Sequence, residues 1–346
     1  MKAALIGAGH IARQHLTCLK TLPGVEIAAV CDLSPATAEA ASERYGIGAW
    51  FTDHRAMLEK TRPDVVHVTT PPTSHYRLAM DSIDAGAHVI VEKPVTSTFD
   101  EVETLVRRAQ EAGRHVVEDY NAVFAHATQE IVRRIKSGQF GTVNHVEVLM
   151  CLDILGPRGF ADPNSPHPAL TLAGGAIADF LPHLASLAHL FVGPHRTART
   201  IWAKRKPSVL PFDEFRALVD AEHGTACLGF SASSQPDAFW LRVYGDRMQA
   251  TTNLFESRLT FDRPRNVPKP LQPFFNSLEE SKIIRRAALA TLVRKFKGLG
   301  TYESVWELLA RTYRALADGS ALPVTASHVL EVNRMVEALK PRQRQP

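Results

Sequence analysis

A lysine follows a short apolar run in His88-Val-Ile-Val-Glu92-Lys93-Pro94. Such a run, rich in β-branched residues, reads as a strand buried on both faces of a parallel sheet. In open α/β sheets, ligands bind in the crevice outside the carboxyl ends of the strands. Lys93 is therefore expected at a ligand site, placed to touch a substrate. A second candidate is Asp179-Phe-Leu-Pro-His183. Residues four apart share one helical face, so the carboxylate can orient the imidazole. Imidazole is suited to proton transfer near neutral pH. Taken alone, such a helix pair is as a rule structural. A zinc reading has no further Cys/His spacing behind it.

The chain opens Ala3-Ala-Leu-Ile-Gly7-Ala-Gly9-His10-Ile11-Ala12. In this G-x-G-x-x-A pattern Gly7 permits a tight turn, Gly9 lets the backbone approach a pyrophosphate, and Ala12 takes the close-packing position. The free N–H groups of the helix that begins near His10 and Ile11 favour phosphate. Asp32 lies 20 residues beyond Ala12, at the end of the next strand. Its carboxylate can accept hydrogen bonds from both hydroxyls of an adenine ribose. The competing reading is a turn or helix-cap residue ahead of Ser34-Pro35. Leu33 and Ser34 follow, with no arginine to meet a 2′-phosphate, so the expected cofactor is NAD rather than NADP. The stretch Thr69-Thr70-Pro71-Pro72-Thr73-Ser74-His75 ends another strand. It either lines a cofactor cleft, with Thr70, Pro71 and His75 as contacts, or is a strand-to-helix loop capped by Thr73 or Ser74.

The elements that must position these groups follow a β-α-β rhythm. Strands are expected at Ala3–Ile6, Glu26–Cys31, Val65–Thr69, His88–Val91 and His115–Glu118. Helices are expected near Ile11–Thr21, Pro35–Arg44, His75–Ala85 and Asp100–Ala112. The fold class is α/β, with an N-terminal doubly wound parallel sheet over residues 1–122. Residues 123–346 read differently. An apolar helix at Ala176–Phe191, stopped by Gly193-Pro194, is followed by strands at Thr197–Lys204, Phe215–Glu222, Ala226–Ser233, Trp240–Tyr244 and Gln249–Phe255. Strands in direct succession predict an α+β domain with a mainly antiparallel sheet.

Composition narrows the function classes. Net charge is +4 with 22% charged residues, and the basic residues are scattered pairs without interleaved aromatics. No nucleic-acid partner is expected. The four cysteines, Cys18, Cys31, Cys151 and Cys227, form no Cys-x-x-Cys pair. They read as free thiols in a cytoplasmic protein. A signal peptide and a membrane span are not expected.

Gly7-Ala-Gly9-His-Ile-Ala12, Asp32, Pro71-Pro72, Glu92-Lys93-Pro94 and Asp179-xxx-His183 recur in the order seen in the Gfo/Idh/MocA family of nicotinamide-dependent oxidoreductases, which this chain resembles along nearly its whole length. The resemblance implies a Rossmann domain followed by an antiparallel α+β domain, assembled as a homodimer or homotetramer through the sheet face. It implies catalytic roles for Lys93, Asp179 and His183. Cofactor contacts are implied at Gly7, Gly9, His10, Ile11, Asp32, Thr70, Pro71, His75, Glu92 and Asn121. The implied reaction moves a hydride between NAD and a hydroxyl-bearing carbon of a sugar, polyol, inositol or sugar derivative, nucleotide-linked ones included. The alternatives are a lyase or hydrolase that retains NAD and oxidises transiently, and a non-catalytic NAD-binding regulator.

The chain departs from the family pattern at two places. Asn121-Ala-Val-Phe124 stands where the family commonly shows Asn-x-Arg-Phe. Residues 270–300 form a basic amphipathic segment, read as helices with one charged face or as a contact for a partner or an anionic membrane surface. In the loop before the Asp179 helix, Arg158 and His167 are candidates for substrate choice. Arg158 reads equally as a carboxylate or phosphate clamp and as a surface residue.

Overall fold

The computed structural model describes residues 1–156, 159, 161, 170, 172, 174–256, 258–296 and 303–341. The chain divides into two compact units. The first contains Met1–Asn121 and Tyr302–Glu337, and the second Ala122–Thr301 and Ala338–Pro346. The C-terminal helices thus cluster with the N-terminal sheet, which differs from the contiguous division 1–122 and 123–346.

The first unit is built on a six-stranded parallel sheet in the order β3-β2-β1-β4-β5-β6. Its strands are β1 (Lys2–Ile6), β2 (Glu26–Cys31), β3 (Trp50–Phe51), β4 (Val65–Val68), β5 (His88–Val91) and β6 (Val116–Glu118). Between them run α1 (Ala12–Leu19), α2 (Pro35–Tyr45), α3 (His54–Thr61), α4 (Pro72–Asp84) and α5 (Phe99–Glu111). Leu5, Val66 and Val89 are fully buried in neighbouring strands, each worth about 1.5–3 kcal/mol of transfer free energy. That burial on both faces explains the uninterrupted apolar runs. The helix starts follow local chemistry. Thr98 and Glu101 form a reciprocal capping box on α5. Pro72 sets the start of α4, three residues before His75, because proline suits the first helical turn. The strand β3 and helix α3 depart from the expected rhythm. Two strand residues carry no readable period, and α3 is marked only by its Asp53 cap, which accepts from Arg55 N at 3.0 Å.

Two C-terminal helices, called α9 (Glu303–Asp318) and α10 (Ala326–Leu339) in chain order, complete this unit. Trp306 Nε1 donates to Thr21 Oγ1 at 2.9 Å, and Asn333 Nδ2 donates to Glu118 Oε2 at 2.6 Å. Trp306 thus joins α9 to the end of α1 at the surface, and Asn333 reaches the buried carboxyl end of the sheet.

In the second unit a seven-stranded sheet runs β13-β12-β11-β7-β10-β9-β8. The strands are β7 (Val143–Asp153), β8 (His195–Ala203), β9 (Glu214–Ala221), β10 (Thr225–Ser231), β11 (Ser233–Gly245), β12 (Gln249–Asn253) and β13 (Leu259–Asp262). Pairing is antiparallel except between β10 and β7. Along β9 the residues alternate between buried and exposed, as a half-covered sheet demands. The cover is α7 (Gly175–Val192), which packs on β7 and β10. This helix has 18 residues and enough apolar character to cross a membrane by length and composition. Its side chains are mostly buried against the sheet, which accounts for that character. The unit also holds α6 (His126–Lys136) and α8 (Gln272–Phe296). Along α8, Phe274, Phe275, Leu278 and Ile284 are exposed.

Candidate active site

The first unit assembles its candidate residues at the carboxyl ends of β1, β4 and β5. Gly7 leaves β1 with φ +92°. A Cβ there would lie 2.7 Å from Thr70 Cγ2 and 2.9 Å from the Thr69 carbonyl, so both conformation and space require glycine. Gly9 is the opposite case: a Cβ would meet nothing within 4 Å, and the residue is exposed. The helix that follows has no side-chain cap at Ile11, so its first amides remain available to an acceptor. His10 is exposed and Ile11 half-buried. A tight glycine, an open glycine and an uncapped helix start fit a pyrophosphate cradle.

Asp32 holds this loop. Its Oδ2 accepts from Ala8 N at 2.8 Å and its Oδ1 from Ser34 N at 2.9 Å. The turn role is thus present. Each carboxylate oxygen has a second lone pair, so capacity for ribose hydroxyls remains. Ser34 caps α2 by accepting from Thr37 N, while Leu33 is 92% exposed.

The Pro-rich turn is locked internally. Ser74 Oγ lies 2.7 Å from Thr70 Oγ1 and 2.8 Å from Pro71 O. Thr70 is half-buried and Pro71 exposed. His75 departs from the expected cofactor contact. Its ring is fully buried, with Nε2 2.7 Å from Thr70 O and Nδ1 2.8 Å from Pro94 O. Both nitrogens are spent on the protein's own backbone.

Lys93 is half-buried between two anchored neighbours. Behind it, Val95 N donates to Glu118 Oε1 at 3.2 Å. Ahead of it, Glu92 also departs from the expected cofactor contact. Its Oε1 lies 3.0 Å from His15 Nε2, inside the unit. Asp119 Oδ2 is 3.5 Å from the same nitrogen. His15 Nδ1 is 2.8 Å from His67 Nδ1, and His67 Nε2 is 2.8 Å from Tyr313 Oη.

The charges in this cluster follow from burial and pairing. Burial opposes a positive His15, but hydrogen bonds and charge from Asp119 and Glu92 outweigh it and push the imidazole up to about 9. Burial and the His15 charge press His67 well below its ordinary value. With His15 protonated, its Nδ1–H donates to neutral His67. His67 Nε2–H is then left to donate to Tyr313. Burial and Asp119 raise the Glu92 carboxyl. Donor atoms of His15, Glu92 and Asp119 lie within 4.8 Å of one another, a set that metals also use. Here the imidazolium already supplies the positive charge. Glu118 is pushed up to about 7 by burial, against the hydrogen bonds of Tyr120, Asn333 and Val95 N.

The second unit carries Asp179 and His183 on the buried face of α7. The His183 ring centroid is 5.9 Å from that of Phe180 and 6.5 Å from that of Phe239. This aromatic surround excludes water from one side of the imidazole. Asn121 opens the 3-10 turn Asn121–Phe124 after β6. Arg158 and His167 lie outside the described residues. His15, His67, Glu118, Asp119, Tyr313 and Asn333 were not singled out from sequence. The available signals were a histidine inside the apolar strand Val65-Val-His67-Val and the acid pair Glu118-Asp119 ending β6.

Residues 1–120 match the sequence profile of Gfo/Idh/MocA, an oxidoreductase family with an NAD-binding Rossmann fold. The N-terminal domain belongs to the Gfo/Idh/MocA family. The chain is 33% identical to D-glucoside 3-dehydrogenase of Escherichia coli K12 over 41% of each chain. It is 27% identical to glycosyl hydrolase family 109 protein 2 of Akkermansia muciniphila, over 42% of this chain and 33% of that one. The chain thus spans about two-fifths or less of the length of these curated relatives. A solved levoglucosan dehydrogenase, complexed with NADH and levoglucosan, superposes with TM-score 0.81 at 18% identity, covering 98% of this chain and 96% of that one. At that identity the likeness shows a shared fold and nothing more.

Proposed function

We propose that this protein is an NAD-dependent dehydrogenase acting on a CH–OH group of a sugar, polyol, inositol or sugar derivative. The observation that carries the reading is the Lys93 turn. Its neighbours Glu92, Pro94 and Val95 are each anchored by a buried side chain, at the same sheet end as the Gly7–Gly9 loop. Such anchoring fixes the backbone from which Lys93 projects, the first requirement for a cation that stabilises a reacting oxygen. When bound, the nicotinamide supplies a hydride acceptor or donor. The family resemblance supplies the roles: in the oxidative direction His183 would take the hydroxyl proton, Asp179 would orient the imidazole, and Lys93 would stabilise the developing alkoxide. Asp32 with Leu33 and Ser34 favours a ribose 2′-hydroxyl over a 2′-phosphate, hence NAD. The thiols Cys18 and Cys31, buried and free, suit a cytoplasmic protein. A homodimer or homotetramer is the assembly in keeping with the family.

The test is a turnover screen. Protein is mixed with NAD or NADP and a panel of free sugars, inositols, uronic acids and nucleotide sugars, and reduced nicotinamide is followed. Reduction by the wild type and not by Lys93→Ala supports the reading. A second reading has its own support in the likeness to a protein named as a glycosyl hydrolase. Substrate cleavage without net nicotinamide reduction would replace the dehydrogenase with an NAD-retaining hydrolase or lyase.

A further inference from the structure

His75 touches two turns that the sequence keeps apart. Thr70 O belongs to the exit of β4 and Pro94 O to the exit of β5, and these strands are adjacent in the parallel sheet. Thr70 is also the residue whose methyl group closes on Gly7. Through Thr70 the ring therefore bears on the Gly7 loop, and through Pro94 it bears on Lys93. At 2.7 and 2.8 Å both contacts are of hydrogen-bond length, and both partners are carbonyl oxygens. A carbonyl can only accept, so each ring nitrogen must donate for both contacts to be favourable.

We propose that His75 is a positioning residue whose two nitrogens strap the Thr70–Pro71 turn, which supports the cofactor loop, to the Lys93–Pro94 turn, which carries the reacting cation. A doubly protonated ring holds both turns. A neutral ring donates to one carbonyl and opposes a lone pair to the other. Burial, aided by the Lys93 ammonium, holds the imidazole below its ordinary value in spite of the two carbonyls, so the strap closes on both turns toward acid and on one turn near neutrality. Lys93 is the charged side chain acting on it.

The inference rests on the dehydrogenase reading for its kinetic arm alone. Two substitutions separate the two bonds. Asparagine places an amide where Nδ1 stands, and glutamine reaches to where Nε2 stands. His75→Asn is expected to keep the Pro94 bond and lose the Thr70 bond. Measured toward acid, where the wild-type ring holds both turns, NADH affinity read by nicotinamide fluorescence should fall about tenfold with kcat nearly kept, the loss of one buried hydrogen bond. His75→Gln is expected to do the reverse, lowering kcat about tenfold with NADH affinity nearly kept. Equal losses in both parameters from both variants, or no loss in either, would overturn the strap and leave an ordinary packing role. NADH binding needs no substrate, so failure to find turnover sinks the function reading while the affinity arm still tests the strap. Should the variants not fold, the wild type decides. Nitrogen-15 spectra of the His75 ring should titrate with the same midpoint as the carbonyl carbon of Thr70, which accepts from Nε2. A Thr70 carbonyl indifferent to that titration would overturn the proposal.

Discussion

Asp32 Oδ2 accepts a hydrogen bond from the amide of Ala8 at 2.8 Å, so the acid that ends β2 also fixes the loop leaving β1. One side chain therefore sets loop geometry and presents negative charge where an adenine ribose is expected. Removing it should weaken NADH and remove the barrier against a 2′-phosphate together. Asp32→Ala is expected to lower NADH affinity about tenfold, the scale of one charge-assisted hydrogen bond, and to leave NADPH affinity unchanged or improved. Fluorescence titrations with both nucleotides read this. Parallel losses for both would assign Asp32 to the turn alone.

Gly7 and Gly9 should respond in opposite ways to the same methyl group. At Gly7 an alanine must adopt φ near +92° and press on the Thr69 carbonyl at 2.9 Å. A left-handed residue costs about 1–2 kcal/mol and overpacking about 1–3 kcal/mol. Gly7→Ala should therefore lose about 2–5 kcal/mol in denaturant unfolding. Gly9→Ala meets open space, so stability should hold while NADH affinity falls, because the methyl occupies the approach to the pyrophosphate. Equal stability of the two variants would refute the geometric distinction.

How far the sequence revealed this arrangement depends on the range of the interaction. The positions of Gly7, Asp32 and Lys93 were legible because each is local: a turn out of a strand, an acid closing the next strand, a cation just past an apolar run. Helical spacing put Asp179 and His183 on one helix, and the structure places both on the buried face of α7, while their catalytic role comes from the family resemblance. The His15–Glu92 contact joins residues 77 apart in sequence, and no local period encodes it. The same holds for Tyr313 against His67 and Asn333 against Glu118, which bring the last helices back to the first sheet. Glu92 and His75 were expected at a cofactor because the motifs that contain them were expected there. Burial instead turned both side chains inward, where each found a partner. Sequence placed their backbone at the right sheet end, but rotamer and partner are set by tertiary packing.

Alkaline pH should expose the His15 cluster. The folded imidazole sits at about 9 against an ordinary 6.5, so it binds protons more tightly folded than unfolded. Its contribution is fully present below 6.5 and is lost as pH rises through about 9. Glu118, raised from 4.5 to about 7, loses its contribution as pH rises through about 7. His88, lowered to about 4 by burial and by His115, acts in the opposite sense and loses its contribution as pH falls through about 4. Below pH 7 the last two effects oppose each other. Between pH 7 and 9 His15 is the main titrating group of the three, and unfolding free energy should drop by about 2 kcal/mol. His15→Gln should be less stable at pH 7 and nearly flat across that window. A variant that keeps the wild-type slope would remove His15 as its source.

Lys93 and His183 should fail in distinguishable ways if they serve one reaction as cation and base. Lys93→Ala removes charge at the reacting oxygen and should lower turnover by at least about 100-fold, with NADH affinity little changed. Lys93→Arg, which keeps the charge, should recover part of that loss. His183→Gln removes the proton acceptor. In the oxidative direction the wild type should lose turnover toward acid as its base is protonated, and that limb should vanish in His183→Gln along with most of the rate. Initial rates with NAD and a substrate from the screen, taken across pH 5.5–9 for each variant, separate the roles. An acid limb that persists in His183→Gln would move the base elsewhere. Near-wild-type turnover of Lys93→Ala would take the lysine out of the mechanism and leave its three buried anchors without a catalytic purpose.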